Sequence, residues 1–150
     1  MRILAALALS GALTTAGCSS SNITDEIGLT QVSLPNGVKI NAETMRSEAE
    51  LMKGLMFRQS LPENRGMLFI HAQESTFRYW MYQTKIPLDI IWMDRDHRIV
   101  EISPDTPPCQ STLPNDCPSY GGNFKARYVL ELKAGAAHKN GLKAGDTLAF

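Results

Sequence analysis

The chain predicts a mostly β fold, α+β in leaning, built as a compact β-sandwich or small barrel with one or two short helices. Three observations lead there. Short runs rich in β-branched and aromatic residues recur between turn signals from Leu29 to Phe150. Only two segments, 47–57 and 134–140, carry helical spacing. At 43% hydrophobic and 20% charged over 150 residues, the composition is that of a globular chain with a real core.

The N-terminus reads as an address. Met1-Arg2 gives a positive tip, Ile3, Leu4, Leu7, Leu9 and Leu13 an apolar stretch, and Ala16-Gly17 small residues before Cys18. That pattern is an export signal over residues 1–17. It falls short of the roughly 20 residues that a hydrocarbon core requires. The segment resembles the lipobox of bacterial lipoproteins, with Thr15 where leucine is usual. The resemblance implies that Cys18 carries acyl chains (palmitate among them) and becomes the mature N-terminus, leaving 133 of the 150 residues. Ser19 follows the cysteine in place of an acidic residue, which by the same resemblance favours the outer membrane, facing the periplasm. Residues 18–29 form a tether, because Ser19-Ser20-Ser21-Asn22 cannot bury enough apolar surface to order itself. Residues 30–150 make a single domain.

Within that domain, Val32, Leu34, Val38 and Ile40 flank Asn36-Gly37, the signature of a hairpin with a two-residue turn. Ser47 and Glu50 form a capping box. Ala49, Leu51, Met52, Leu55 and Met56 then follow at helical spacing, and the segment 61–66 breaks the helix. Strands are expected over 67–70, 77–82, 88–93 and 98–102, the last two as a hairpin around Asp94-Arg95-Asp96-His97. A strand over 128–132, a helix over 134–140 closed by Gly141 with Leu142 packing back, and a strand over 146–150 complete the chain.

Cys109 and Cys117 lie in one turn-rich stretch, and in an exported protein two such cysteines are expected to form a disulfide. No cluster of ligating side chains accompanies them, so no metal is expected. Removal of Arg2 leaves 14 basic side chains against 15 acidic ones, so nothing supports nucleic-acid binding. No cofactor fingerprint or nucleophile elbow is present. His71, His97 and His138 are scattered, without the spacing of a metal pair.

Four ordered blocks carry a wider resemblance: Gly54-Leu55-Met56-Phe57-Arg58, Gly66-Met67-Leu68-Phe69, the segment from Phe77 through Trp80-Met81, Gln83-Thr84 and Pro87-Leu88-Asp89-Ile90-Ile91, and Tyr128-Val129-Leu130-Glu131-Leu132 with Gly135 and Gly145-Asp146. Together these resemble the prokaryotic family of domain of unknown function 192. Gln83 stands where that family usually shows asparagine, and Trp92 where phenylalanine or tyrosine is commoner. The resemblance implies a compact, mostly β domain and no established activity.

Candidate binding residues therefore rest on their chemistry. Alternation along 77–82 sends Trp80 and Tyr82 to one face and Tyr79 and Met81 to the other. Trp80, Gln83, Thr84 and Asp89 would gather at one sheet end, an indole, an amide, a hydroxyl and a carboxylate suited to a sugar or other polyhydroxylated envelope ligand. The competing reading makes these residues core and turn. Arg58 would either clamp an anion or pair with Asp89 or Glu131. Glu131 interrupts an apolar strand, and with Asp89 it would make the paired carboxylates of an envelope hydrolase. A structural partner of another envelope protein is the third reading. No catalytic set is assigned.

Overall fold

The computed structural model describes residues 28–150. The signal segment, Cys18 and all but the end of the tether lie outside the described residues. The expected mostly β architecture is present. Six strands form one sheet in the order β1 (Leu29–Ser33), β2 (Lys39–Met45), β3 (Arg65–Ser75), β8 (Ala126–Lys133), β5 (Leu88–Met93) and β6 (Ile99–Thr106). Only β2 and β3 run parallel, and helix α1 (Glu48–Lys53) lies between them in sequence. A two-stranded ribbon of β4 (Tyr79–Trp80) and β7 (Ser119–Tyr120) stands apart from the sheet.

The sheet has a core on each face. All six residues of β5 are buried, so this strand shows no polar alternation. Ile91 and Met93 join Val32, Ile40, Leu68, Leu130 and Leu132 on one side, beneath helix α2 (Ala136–Lys139) and the tail residues Leu142 and Leu148. Leu88, Ile90 and Trp92 join Met67, Phe69, Met81 and Val129 on the other, together with Leu55 and Leu61 from the segment after α1. Tyr79, Tyr120 and Cys109 pack against this second core.

Local chemistry sets the boundaries. The hairpin turn is longer than the two-residue form that Asn36-Gly37 suggested. Leu34 and Val38 close it, Gly37 donates to the Leu34 carbonyl, and only Gly37 takes a positive φ, of 86°. This is the three-residue loop ending in a left-handed glycine, with Pro35 opening its turn. The Ser47–Glu50 capping box forms as expected. Its helix stops at Lys53, short of residue 57, because Gly54 adopts φ 44°, ψ −134°. At α2, Leu142 donates to the Ala137 carbonyl and Gly141 to that of His138, the expected left-handed closure.

Two expected strands shrink. Over 77–82 only Tyr79–Trp80 pairs, since the Phe77 carbonyl accepts from Trp92 Nε1 at 2.9 Å and Gln83 turns the chain at φ 55°. Over 146–150 the tail makes isolated bridges, Ser33 with Ala149 and Arg98 with Thr147. It thereby links the β1 edge to the start of the β6 strand, across an open, curled sheet that strands alone do not close into a barrel.

Cys109 and Cys117 form the expected disulfide. The Cys109 N–H donates to the Met81 carbonyl, and the Tyr82 hydroxyl to the Thr112 carbonyl, so the bridged loop braces residues 81–82. Replacing both cysteines by serine is expected to lower the unfolding free energy by about 2–3 kcal/mol in urea titrations; an unchanged midpoint would show that the loop needs no bridge. Gly121→Ala is expected to cost more. The added Cβ would lie 2.2 Å from Trp92 Cζ2, at a residue with φ 68°. A melting temperature within a degree or two of the parent would refute that contact.

Candidate functional site

Glu131 sits mid-sheet on β8, opposite Met67 of β3 and Ile90 of β5. Alternation places it on the same face as Val129, in the second core. Its side chain is buried, at 5% exposure, and Oε2 has no hydrogen-bond partner. An ionised carboxylate in that setting would be costly. Burial accordingly pushes the Glu131 carboxyl up to about 8, and it is protonated at neutral pH.

The acid borders a narrow cavity of about 30 Å³. That is room for one water-sized or hydroxyl-sized group. Leu55 and Phe69 line it together with the wall residues Tyr79, Trp80, Tyr82 and Thr84, and the end of α1 closes it from Leu51 to Gly54. Tyr79 packs edge-on against Phe69 at 5.2 Å and Trp92 at 5.9 Å. Its hydroxyl meets His71 Nε2 at 3.0 Å. Burial first, and the Glu131 charge second, hold the Tyr79 phenol far above its ordinary range. His71 stacks on Phe77 at 3.5 Å, and burial, with Arg127 adding to it, brings its imidazole down to about 4. At neutral pH the acid, the phenol and the imidazole are thus all uncharged. Trp80 lies beside Tyr82 at 5.6 Å, and both line the cavity together with Tyr79. A shallower groove of about 300 Å³ runs alongside and shares Leu51, Met52, Tyr79 and Trp80 with the cavity.

Of the six residues singled out in the sequence, the cavity brings together Trp80, Thr84 and Glu131 and leaves out the other three. Asp89 is corrected from a ligand residue to a structural one. It is fully buried, its Oδ1 accepts from the Asp105 and Gly135 N–H groups, and its Oδ2 accepts from Ala137 N–H at 2.7 Å. It stands opposite Leu132, whose side chain belongs to the first core, so Asp89 and Glu131 lie on opposite faces of the sheet. The paired-carboxylate arrangement is therefore not formed. Arg58 pairs with neither of them. It makes two bonds of 2.6 Å to Glu43, whose carboxyl that guanidinium lowers. Gln83 contributes backbone: its carbonyl accepts from Phe57 N–H at 2.8 Å, while its side chain meets Lys85. Gln83 takes a positive φ of 55°, a region that asparagine, the residue the resemblance leads one to expect there, tolerates better. Tyr79, Tyr82 and Leu55 are site residues that the sequence does not single out. They reach the cavity only once α1 and the β4–β7 ribbon cover the same face.

The model of domain of unknown function 192, described as "Uncharacterized ACR", matches residues 31–150. The chain belongs to this family. Two solved structures are similar to it. A protein of unknown function from Novosphingobium aromaticivorans DSM 12444 is 28% identical, with a TM-score of 0.71 over 93% of this chain and all of that one. A protein from Sinorhizobium meliloti 1021, provisionally described as a transcription regulator, is 26% identical, with a TM-score of 0.69 over 79% of this chain and 89% of that one. No curated protein matches the chain. For this member of the domain of unknown function 192 family, the buried acid is therefore the feature from which function must be argued.

A glutamate in the unfolded chain loses its proton from about 4.5 upward, whereas folded Glu131 keeps it to about 8. Its contribution is most favourable at low pH, declines as pH rises between those values, and is fully lost above them. The stability difference between parent and Glu131→Gln is thus expected to shift against the parent by a few kcal/mol from pH 5 to pH 8.5. Urea unfolding at several pH values reads this, and parallel curves would mean that Glu131 titrates normally.

Proposed function

We propose that this domain is a binding module for a neutral, polyhydroxylated cell-envelope ligand, held at the membrane by a lipid anchor on Cys18. One observation carries the ligand reading: an unpartnered, protonated carboxyl borders a hydroxyl-sized cavity whose aromatic wall continues into an open groove. A sugar ring would lie along Trp80 in the groove, its apolar face on the indole. One hydroxyl would enter the cavity and exchange hydrogen bonds with Glu131 and the Thr84 hydroxyl. Glu131 and Tyr79 are uncharged there and Lys53 is the one charged residue of the lining, so a neutral hydroxyl beside the acid escapes the desolvation that an anion would suffer.

The anchor reading rests on the export-type segment and the small residues before Cys18. Two or more acyl chains at one residue hold a protein stably, where a single chain is marginal. The disulfide agrees with an oxidising compartment.

Calorimetric titration of the full chain in detergent against neutral glycans and cell-wall fragments tests the proposal. Saturable binding is expected. Trp80→Ala and Glu131→Gln are each expected to weaken it at least tenfold, about 1.4 kcal/mol, while keeping the folded circular dichroism spectrum. If no member of the panel saturates, or both folded variants bind like the parent, the reading fails.

A further inference from the structure

We propose that the open end of the curled sheet is a second binding site, for a small ligand that joins an oxyanion to a flat ring. A recess of about 290 Å³ lies there, lined by Arg46 just beyond β2, Ile70 of β3, Arg127 and Tyr128 of β8, His97 of the β5–β6 turn, and Phe150 of the tail. Apart from its distance from the Glu131 cavity along β8, it shares no lining residue with that cavity or its groove.

The wall of the recess is an aromatic cluster. His97 lies parallel to Phe150 at 3.9 Å, and both meet Tyr128 edge-on, at 4.8 Å and 5.2 Å. All three rings are partly exposed. Tyr128, Phe150 and Ile70 pack inward on the first core, which fixes the cluster to the rigid part of the fold. His97 is held there by its own backbone: φ is 61°, its N–H donates to the Asp94 carbonyl, and its carbonyl accepts from Leu148. A planar ring can stack on such a surface without ordering new protein segments.

The rim supplies the charge. Arg46 and Arg127 both line the recess and no acidic side chain does. Among the described residues neither arginine is ion-paired with a carboxylate. Arg127 Nη1 donates to the Ala72 carbonyl and its Nε is sealed from solvent, which leaves Nη2 as the donor for an oxyanion in the recess. A part-buried guanidinium with no counter-ion is a costly arrangement that an oxyanion would offset. Phosphate and carboxylate both match the fork of a guanidinium, so the shared oxyanion is the class assigned.

Titration of the full chain with phenyl phosphate, benzoate, inorganic phosphate and phenol, followed by calorimetry and chemical shifts, tests the site. Phenyl phosphate or benzoate is expected to saturate at least tenfold more tightly than phosphate and phenol taken singly, and whichever of the two binds better names the oxyanion. Arg46→Gln is expected to weaken binding at least tenfold, while the charge-matched control Lys143→Gln leaves it unchanged. Arg127→Gln should do the same as Arg46→Gln; if it unfolds, Phe150→Ala serves in its place. The proposal is overturned if neither ring-bearing anion saturates, if they bind no better than inorganic phosphate, or if Arg46→Gln binds like the parent.

Discussion

The rest of this fold follows from a sheet whose middle has no solvent face. β5, residues 66–69 of β3 and residues 129–132 of β8 are buried on both sides, so each face there needs its own cover, and the connections between strands must supply it. One face receives α2 and the tail. The other receives the end of α1, the β4–β7 ribbon and the disulfide loop. These covers are assembled from short pieces. Their seams, more than the strands, decide where a cavity can open.

The same constraint puts a strict condition on any polar side chain in the central strands. Asp89 and Glu131 are both sealed in the sheet, and they meet that condition in opposite ways. Asp89 is surrounded by donors. Pro104 has no N–H to give and sits by the irregularity in β5–β6 pairing, and the neighbouring Asp105 N–H turns to Asp89, as do those of Gly135 and Ala137. A carboxyl group held by three backbone donors and fully buried organises the loop around it and exposes no oxygen to a ligand. Glu131 has no such cradle and stays protonated. Removal of the Asp89 carboxyl would orphan backbone groups. Removal of the Glu131 acid would relieve a burial problem, so its presence calls for a role that stability does not supply.

How much of this was legible follows the range of each signal. Local chemistry was readable: the Ser47–Glu50 capping box, the Gly141 closure and the Leu88–Met93 strand all rest on neighbours within a few residues. The two disulfide partners are eight residues apart and were equally accessible. Helix length was overestimated because apolar spacing continued through Leu55 and Met56, although Gly54 ended the helix and sent Leu55 into the second core by another route. The composition of the tail suggests a strand, but pairing depends on which edges lie within reach. For the site, alternation assigns Trp80 and Tyr79 to opposite faces, yet both line the cavity beside Glu131, because Tyr79–Trp80 form a short ribbon with β7 apart from the main sheet. Alternation could not place Asp89 and Glu131 on opposite faces, because that depends on the register between β5 and β8. A shift by a single residue would have reversed it.

The wall around Glu131 shows what the seams are for. Residues 81–84 are held from two sides, by the Cys109 N–H on the Met81 carbonyl and by the Phe57 N–H on the Gln83 carbonyl. Phe57 and Gln83 both take left-handed backbone, at φ 67° and 55°, so the chain accepts strain on each side of that hydrogen bond. Backbone in this region persists only where the surroundings over-determine it. Here the surroundings are the bridged loop, the capped helix and the aromatic packing of Tyr79. Their joint product is a rigid Tyr82–Thr84 edge over an uncharged acid. A merely structural sheet would not require such an edge, since filling 30 Å³ with one larger side chain would close the cavity and remove the orphaned oxygen together. That the fold keeps both, where the end of α1 meets the β4–β7 ribbon, is the physical ground of the binding proposed at Glu131.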